Sequence, residues 1–168
     1  MSDGDTVWQG KYLSVIKQGS WEYAERNGDI DAAVIVAVDD GHLILVEQFR
    51  IPAGRRCLEL PAGLVGDESQ GEALTDAAAR ELEEETGYRP ASVEVLGEYY
   101  SSPGMTSERF TMVRATGLTR VGEGGGDDKE DITVHRVPLA ELDAFVASKR
   151  AAGVGMDSKL LALIGPRL

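Results

Sequence analysis

The residues most suited to chemistry are the glutamates of the stretch ARELEEETGY, residues 79–88. Helical residues advance by about 100° each, so Glu84 and Glu85 would lie about −60° and +40° from Glu81, on one face of a helix. Glu83 would point the other way, toward solvent. Grouped carboxylates repel one another and are costly to desolvate unless a cation neutralises them. Carboxylate oxygens suit Mg²⁺, with Mn²⁺ as a substitute, so the stretch predicts a metal site. The alternative is a solvated acidic face.

The residues around these glutamates follow a fixed spacing of 23 residues, Gly66-x5-Glu72-x7-Arg80-Glu81-Leu82-x-Glu84-Glu85-x-Gly87-Tyr88. This spacing resembles the signature box of the Nudix hydrolases. The last box position is usually aliphatic, and Tyr88 is expected to pack there instead. In relatives that carry the tripeptide PAG its glycine usually opens the box, but Gly63 lies three residues too early here. A three-residue insertion within LVGDESQ would explain the difference, and the match at Gly66 would then be fortuitous.

A helix from about Gly71 to Thr86 must carry the glutamates. Leu74, Ala78 and Leu82 recur every four residues, and Gly87 supplies the left-handed residue that ends many helices. Two further helices are predicted, at 140–150 after a proline and at 158–164.

The remaining apolar runs read as short strands between Gly and Pro residues. Two of them meet at the Asp40-Gly41 turn signal, and the second ends at Arg50. Strands interrupted by one helix and closed by helices indicate an α+β fold. The family resemblance implies the Nudix fold, an α/β/α sandwich around a mixed sheet, over residues 30–168, preceded by an N-terminal β segment at 1–29. The predicted strands are 11–16, 21–26, the two runs of 31–49, 57–60, 92–100, 110–116 and 132–137.

The resemblance also implies a reaction, the hydrolysis of a nucleoside diphosphate linked to another group. It implies that Glu81 and Glu85 are the principal metal ligands and that Glu84 is a further ligand or a contact of the attacking water. The Ala62 carbonyl would complete the metal site, and Arg80 would orient the glutamates. A metal that bridges the diphosphate offsets its charge and acidifies the water that attacks phosphorus.

A base must then accept the proton of this water, and the resemblance implies a loop carboxylate before a late strand. The segment 121–131 combines glycines with acids, and loops of this kind often carry function. Within it, register with the following strand favours Glu130, with Asp128 as the alternative. A loop that is merely solvated is the third interpretation.

Three features resemble the ADP-ribose pyrophosphatase branch of the family. ELPAG stands directly before the box, Pro103 follows Gly87 by sixteen residues, and SWEYAER matches a W-E-x-x-x-R pattern. The resemblance implies that ADP-ribose is cut to AMP and ribose 5-phosphate, and that the N-terminal strands are exchanged across a homodimer. Other nucleoside diphosphate sugars, such as ADP-glucose or GDP-mannose, are the alternative substrates. A non-catalytic sugar-nucleotide binding module and a scaffolding protein are the alternatives of another class.

Substrate contacts follow from the same resemblance and from side-chain chemistry. An indole stacks on a purine, so Trp21 is the first candidate for the adenine and Tyr12 the second, unless both only pack in strands. Glu22 would accept a hydrogen bond from the adenine amino group. The diphosphate would meet two arginines, although Arg50 could instead close an ion pair. The predicted contacts are Tyr12, Trp21, Glu22, Arg26 and Arg50, with Pro103, Gly104 and Glu108 on the SSPGMTSE segment, where Glu108 would touch the terminal sugar.

Composition excludes several classes of function. The chain has 168 residues, 42% of them apolar, and a formal net charge of −12, which disfavours nucleic acid and anionic lipid as partners. The first ten residues lack the pattern of a signal peptide, and no apolar run is long enough to span a membrane. A cytoplasmic location is the default expectation. Cys57, the single cysteine, is expected to be a buried, inert thiol.

Overall fold

The N-terminal strands form a sheet of their own. The computed structural model describes residues 4–28, 31–65, 71–126 and 131–160. Strands β1 (Asp5–Gln9), β2 (Leu13–Gln18) and β3 (Trp21–Arg26) pair antiparallel in that order. The predicted strands at 11–16 and 21–26 are present, although the first begins at Leu13. Strand β1 was not predicted.

The larger sheet is mixed and has eight strands within the described residues. Its strands are β4 (Asp31–Asp39), β5 (His42–Arg50), β6 (Arg55–Glu59), β7 (Ala62–Val65), β9 (Ser92–Tyr100), β10 (Arg109–Thr116), β12 (Thr133–Pro138) and β13 (Gly155–Met156), while β8 (Tyr88–Arg89) and β11 (Thr119–Arg120) form a separate pair. In the order β13-β6-β5-β4-β10-β9, the β4–β10 and β13–β6 pairs are parallel and the others are antiparallel. Strand β12 pairs with β5, and β7 pairs with β4.

One helix packs on each face of this sheet. The helices are α1 (Leu74–Thr86) and α2 (Leu142–Ala151). Successive side chains of a strand point to opposite faces, and along β4 Val34 and Val36 pack with α2 whereas Ala33 and Ile35 pack with α1. The predicted α+β sandwich is therefore confirmed. Within the described part of the chain, neither helix is long and apolar enough to cross a membrane.

Helix α1 ends where the sequence predicts but begins three residues later. Gly87 adopts the left-handed conformation (φ 74°) and its N–H donates to the Glu83 carbonyl, which ends the helix. Leu82 and Ala78 are fully buried, and Tyr88 packs in the same cluster. The third predicted helix is a single 3₁₀ turn, Ser158–Leu160, and residues 161–164 lie outside the described residues.

A buried ionic network ties α2 to the sheet. Glu47 on β5 is 7% exposed and accepts hydrogen bonds from Arg56 (Nε, 3.0 Å), His135 (Nε2, 3.1 Å) and Lys149 (Nζ, 2.6 Å). Burial would raise the pKa of Glu47, but the bonds from Lys149 and His135 outweigh it and lower this pKa. The pKa of His135 is also lowered, first by burial and then by the charge of Lys149, so this imidazole is kept neutral.

Stability should therefore depend on pH through His135. The unfolded chain holds this histidine at its ordinary pKa of about 6.5, above its folded value, so the unfolded state takes up the proton first as the pH falls. The free energy of unfolding should then decline below about pH 6.5. Urea unfolding at pH 7 and pH 5.5 should show a smaller decline for His135→Gln than for the wild type, with His42→Gln as the matched control. An equal decline in the His135 variant would contradict this expectation.

Candidate active site

A cleft of about 730 Å³ opens over the sheet beside α1. It brings together residues from both sheets, from α1 and from the chain after β13. Among the described residues its lining contains three cationic side chains and five carboxylates, which leaves a formal net charge of −2 for this part of the lining. Six of the residues predicted from the sequence line it: Arg26, Arg50, Ala62, Glu81, Glu85 and Glu108.

The three box glutamates differ in their exposure. Glu85 is 5% exposed and its Oε2 accepts the Ala62 N–H at 3.1 Å, which joins α1 to β7. The Glu81 side chain is half-buried in the same cleft, and that of Glu84 is half exposed. Glu83 was predicted to point into solvent. It instead forms an ion pair, because Arg89 donates to both of its oxygens at 2.7 and 2.8 Å. That pair lowers the pKa of Glu83.

Arg80 bonds to three glutamates of the box. Its Nη1 donates to Glu81 Oε1 at 3.0 Å and to Glu84 Oε2 at 3.2 Å. Its Nε and Nη2 lie 3.4 Å from the two oxygens of Glu72. The guanidinium thus sits among the carboxylates, where it offsets their charge and restricts their rotamers. This geometry agrees with the orienting role that the resemblance implies.

Gly63 allows β7 to approach α1 closely. A Cβ atom at this position would overlap Cγ and Cδ of Glu81. Gly63 therefore lies against a predicted metal ligand, whereas Gly66, the other candidate for the start of the box, lies outside the described residues. Since the spacing from Gly63 does not match the box, only the structure reveals this contact.

The carboxylates suit a hard divalent cation by their chemistry. Glu81 and Glu85 present oxygen ligands to a cleft of net charge −2, and a buried carboxylate in such surroundings favours a bound cation. Within residues 4–28, 31–65, 71–126 and 131–160, no three His, Cys, Asp or Glu side chains already stand in a metal-binding arrangement. Of the three predicted metal-site glutamates, Glu81 and Glu84 accept bonds from Arg80.

Three ion pairs line the cleft beyond the box. Arg50 pairs with Glu59 through two bonds of 2.7 and 2.8 Å, so the predicted alternative for Arg50 is present, but inside the cleft. The bond to Glu59 is the main cause that raises the pKa of Arg50. Burial opposes this rise in pKa, and the charge of Glu85 adds to the rise. No role was predicted for Glu59, Asp157 and Lys159. The three pairs of the described lining are Arg26–Glu108 (3.2 Å), Arg50–Glu59 (2.7 Å) and Lys159–Asp157 (2.6 Å).

A second cavity, of about 410 Å³, contains other predicted residues. Trp21, Pro103 and Gly104 line it together with Tyr23 and Tyr100. The predicted tryptophan, proline and glycine therefore lie together in this cavity. The Trp21 residue is 61% exposed there.

This aromatic cavity is distinct from the cleft that holds the glutamates. Trp21 and Arg26 lie at opposite ends of β3. Five residues of strand span roughly 16 Å. The tryptophan and the arginine that the sequence analysis assigned to one substrate therefore face different cavities.

Two other predicted contacts lie on the surface of the N-terminal sheet. Tyr12 precedes β2, is 64% exposed and has the Lys11 ammonium 4.7 Å above its ring. The Glu22 carboxylate lies 3.8 Å from Lys17 Nζ, and both side chains are exposed. Both side chains are exposed, and their contact with adenine remains a prediction.

Cys57 is half-buried in the middle of strand β6 and lines the cleft, so the expected burial in the core was wrong. Its pKa is raised, mainly by burial and next by the charge of Glu59, which favours the neutral thiol.

The glycine-rich segment 121–126 packs against the end of α1. Gly125 N–H donates to the Glu85 carbonyl at 2.8 Å, and Gly126 N–H donates to the Glu84 carbonyl at 3.1 Å. Gly124 has φ 70°, and a Cβ there would overlap the backbone of Thr86. These bonds satisfy carbonyls that a helix end leaves without partners.

The predicted bases, Glu130 and Asp128, lie outside the described residues. Asp131, the next residue in the sequence, is bound by Arg56, whose Nη1 donates to Asp131 Oδ2 at 2.7 Å. The described chain therefore fixes both neighbours of segment 127–130, Gly126 at the end of α1 and Asp131 beside β6.

Comparisons with known proteins agree with this fold. A model of the NUDIX domain matches residues 29–155. An uncharacterised Nudix hydrolase of Schizosaccharomyces pombe is 34% identical over 83% of this chain and 73% of that protein. An ADP-ribose pyrophosphatase of Mycobacterium tuberculosis is 41% identical over 66% of this chain but only 53% of that protein.

A solved structure described as an ADP compounds hydrolase superposes with a TM-score of 0.69 at 25% identity, over 86% of this chain and 80% of that one. The mixed sheet between two helices agrees with the fold of these relatives. The chain belongs to the Nudix hydrolase family.

Proposed function

We propose that the protein hydrolyses the pyrophosphate bond of ADP-ribose in a Mg²⁺-dependent reaction, giving AMP and ribose 5-phosphate. The observation that carries this proposal is the shared cleft of Glu81 and Glu85 with Arg26 and Arg50. Carboxylates for a metal and arginines for phosphate oxygens are the two groups that a diphosphate substrate requires. The relatives named for ADP-ribose and ADP compounds support the choice of nucleotide.

The charge of the cleft supports a requirement for metal. A lining with a net charge of −2 repels a diphosphate anion unless further positive charge enters with it. Glu81 and Glu85 would hold Mg²⁺, or Mn²⁺ in its place, with Glu84 and the Ala62 carbonyl as further contacts. When bound, the ion would supply positive charge to the diphosphate and acidity to the attacking water.

The chain's own residues would perform the remaining steps. Arg50 keeps donors beyond the two that it gives to Glu59 and would bind a phosphate oxygen, as would Arg26. Arg80 would keep Glu81 and Glu84 oriented through the bonds already present. Glu130, with Asp128 as the alternative, would accept the proton of the attacking water.

We further propose a homodimer in which the N-terminal segment, residues 1–29, serves the partner's cleft. Within one chain Trp21 lines the aromatic cavity and not the cleft of Glu81 and Glu85. A dimer in which this segment packs across the partner would bring the tryptophan of one protomer to the substrate of the other, while Arg26 stays in the cleft of its own chain. The exposed apolar side chains of these strands, Val7, Trp8 and Leu13, would then be covered.

Removing residues 1–27 should consequently cost both dimerisation and substrate affinity. The deletion takes away Trp21 and Arg26, and also the bonds of Ala24 to the segment at 105–107. Sedimentation would measure the oligomeric state, and KM would measure the loss of affinity. Trp21→Ala is the milder variant, which should raise KM without altering the oligomeric state. A truncated monomer with full activity would contradict the exchange.

A substrate panel tests the proposed function directly. The purified protein with Mg²⁺ should show its highest kcat/KM for ADP-ribose among ADP-glucose, GDP-mannose, dinucleoside polyphosphates and nucleoside triphosphates. A preference for GDP-mannose or ADP-glucose would keep the reaction and change the substrate. A preference for triphosphates or dinucleoside polyphosphates would overturn the proposal. Binding of all sugar nucleotides without turnover would instead identify a binding module.

A further inference from the structure

The chain after β13 brings two charged residues into the cleft. Strand β13 pairs parallel with β6, and the Asp157 N–H donates to the Leu58 carbonyl at 3.0 Å. Leu160 is 2% exposed in the core under α2. Asp157 and Lys159 are therefore fixed on both sides, by a strand and by a buried leucine, and both line the cleft that holds Glu81 and Glu85.

Asp157 is fully engaged with Lys159. Its Oδ1 accepts the backbone N–H of Lys159 at 2.8 Å, and its Oδ2 accepts the ammonium at 2.6 Å. The two side chains are 14% and 23% exposed, so the pair lies inside the cleft and not on the open surface. The carboxylate thus serves to hold the lysine in place.

The ammonium of Lys159 retains hydrogen-bond donors beyond the bond to Asp157. An ammonium carries three donor hydrogens, and the bond to Asp157 uses one. The Phe110 ring lies 5.8 Å from Nζ, on the side of strand β10, which limits the directions that the ammonium can take. Lys159 can therefore donate a hydrogen bond to a polar ligand in the cleft.

The same arrangement holds Arg50 in this cleft. Both oxygens of Glu59 accept bonds from Arg50, just as both oxygens of Asp157 accept bonds from Lys159. Each pair is formally neutral, and in each both carboxylate oxygens already accept a bond from the cationic residue, while the cation retains donors. The cleft thus contains two cations of the same design beside the metal-type glutamates, and the proposed function uses only one of them.

We propose that Lys159 binds a non-bridging oxygen of the substrate diphosphate and that Asp157 is its positioning residue. The assignment rests on the proposed function for the identity of the anion, although its geometry stands without it. In the described lining of the cleft, Lys159 joins Arg26 and Arg50 as a third cationic side chain that can donate to a phosphate oxygen.

Inorganic pyrophosphate with Mg²⁺ is the probe that separates binding from turnover. Because a hydrogen bond to a charged group is lost, Lys159→Met should raise the calorimetric Kd for pyrophosphate by about 10- to 100-fold. Lys159→Arg should restore most of the affinity. Asp157→Asn keeps the lysine but weakens its placement and should give an intermediate Kd. Arg136→Met removes one cation from an ion pair outside the cleft, with Asp39, and should leave Kd unchanged.

The kinetic signature separates a binding role from a structural one. Lys159→Met should raise KM for ADP-ribose while kcat stays within about threefold, because the contact is made in the ground state as well as in the transition state. Equal Kd values for the wild type and Lys159→Met would overturn the assignment and leave the proposed function standing. A wild type that binds pyrophosphate through Lys159 but does not hydrolyse ADP-ribose would overturn the proposed function alone. A fall in kcat with unchanged KM and Kd would also reject the binding role.

Discussion

Replacing Glu85 with Gln is expected to lower kcat by more than about 100-fold, the upper range for residues that only support a metal ligand. The change removes one negative charge from the cleft and one metal-type ligand, and it retains the size of the side chain. Glu85 is 5% exposed, and its Oε2 accepts the Ala62 N–H at 3.1 Å. A glutamine oxygen can accept the same bond, so the packing of α1 on β7 should survive.

The matched control lies two residues earlier on the same helix. Glu83→Gln also removes one charge from α1, but Glu83 faces away from the cleft and pairs with Arg89. Its kcat should stay close to that of the wild type. The measurements are kcat over a Mg²⁺ titration and the melting temperature with and without Mg²⁺, since a ligand that binds the folded state raises it. A Glu85 variant that keeps both its turnover and its stabilisation by Mg²⁺ would remove this residue from the metal site.

Replacing Glu130 with Gln is expected to lower kcat by about 10² to 10⁴, the usual contribution of a general base. The change keeps the side-chain volume but removes the group that would accept a proton. The residue itself lies outside the described chain, but the residues on both sides of segment 127–130 are described. Gly126 is bonded to the carbonyl of Glu84, so the segment starts at the glutamate helix.

Asp128→Asn is the control that distinguishes the two candidates. The base variant should lose the acidic limb of the kcat–pH profile, whereas the other variant should keep it. If Asp128→Asn shows the large loss and Glu130→Gln does not, the base is Asp128. Near-normal turnover in both variants would exclude the segment from proton transfer, and Mg²⁺-dependent stabilisation should be unaffected in either one.

The sequence predicted the glutamate helix well because its signals are local. Gly87 takes the left-handed conformation that the pattern indicated, and Leu82 and Ala78 are buried as their spacing required. The start was placed about three residues early, since Ala73 precedes the helix without a side-chain cap. Strand β7 was missed because Ala62–Val65 is only four residues long, contains a glycine, and depends on pairing with β4.

The contents of the cleft were predicted only in part, because they depend on contacts between distant segments. Arg50 was named as a phosphate contact, but Glu59, its partner across the β5–β6 pair, was not. Asp157 and Lys159 stand in a stretch that resembles the start of an amphipathic helix. Their placement in the cleft depends on the two-residue strand Gly155–Met156, a pairing too short to recognise from its sequence.

The joint between α1 and the glycine-rich segment constrains how this sequence can evolve. A Cβ at Gly87 would overlap the Gly122 carbonyl, and a Cβ at Gly124 would overlap the backbone of Thr86. The absence of a side chain at Gly87 and at Gly124 therefore lets segment 121–126 pack against the end of α1. A side chain at either position would push this segment away from the helix. Substitutions at these two positions should be strongly deleterious. We expect changes in the length of segment 127–130 to be tolerated better by the fold, because the bonds of Gly126 and Asp131 do not depend on Gly87 or Gly124 being replaced.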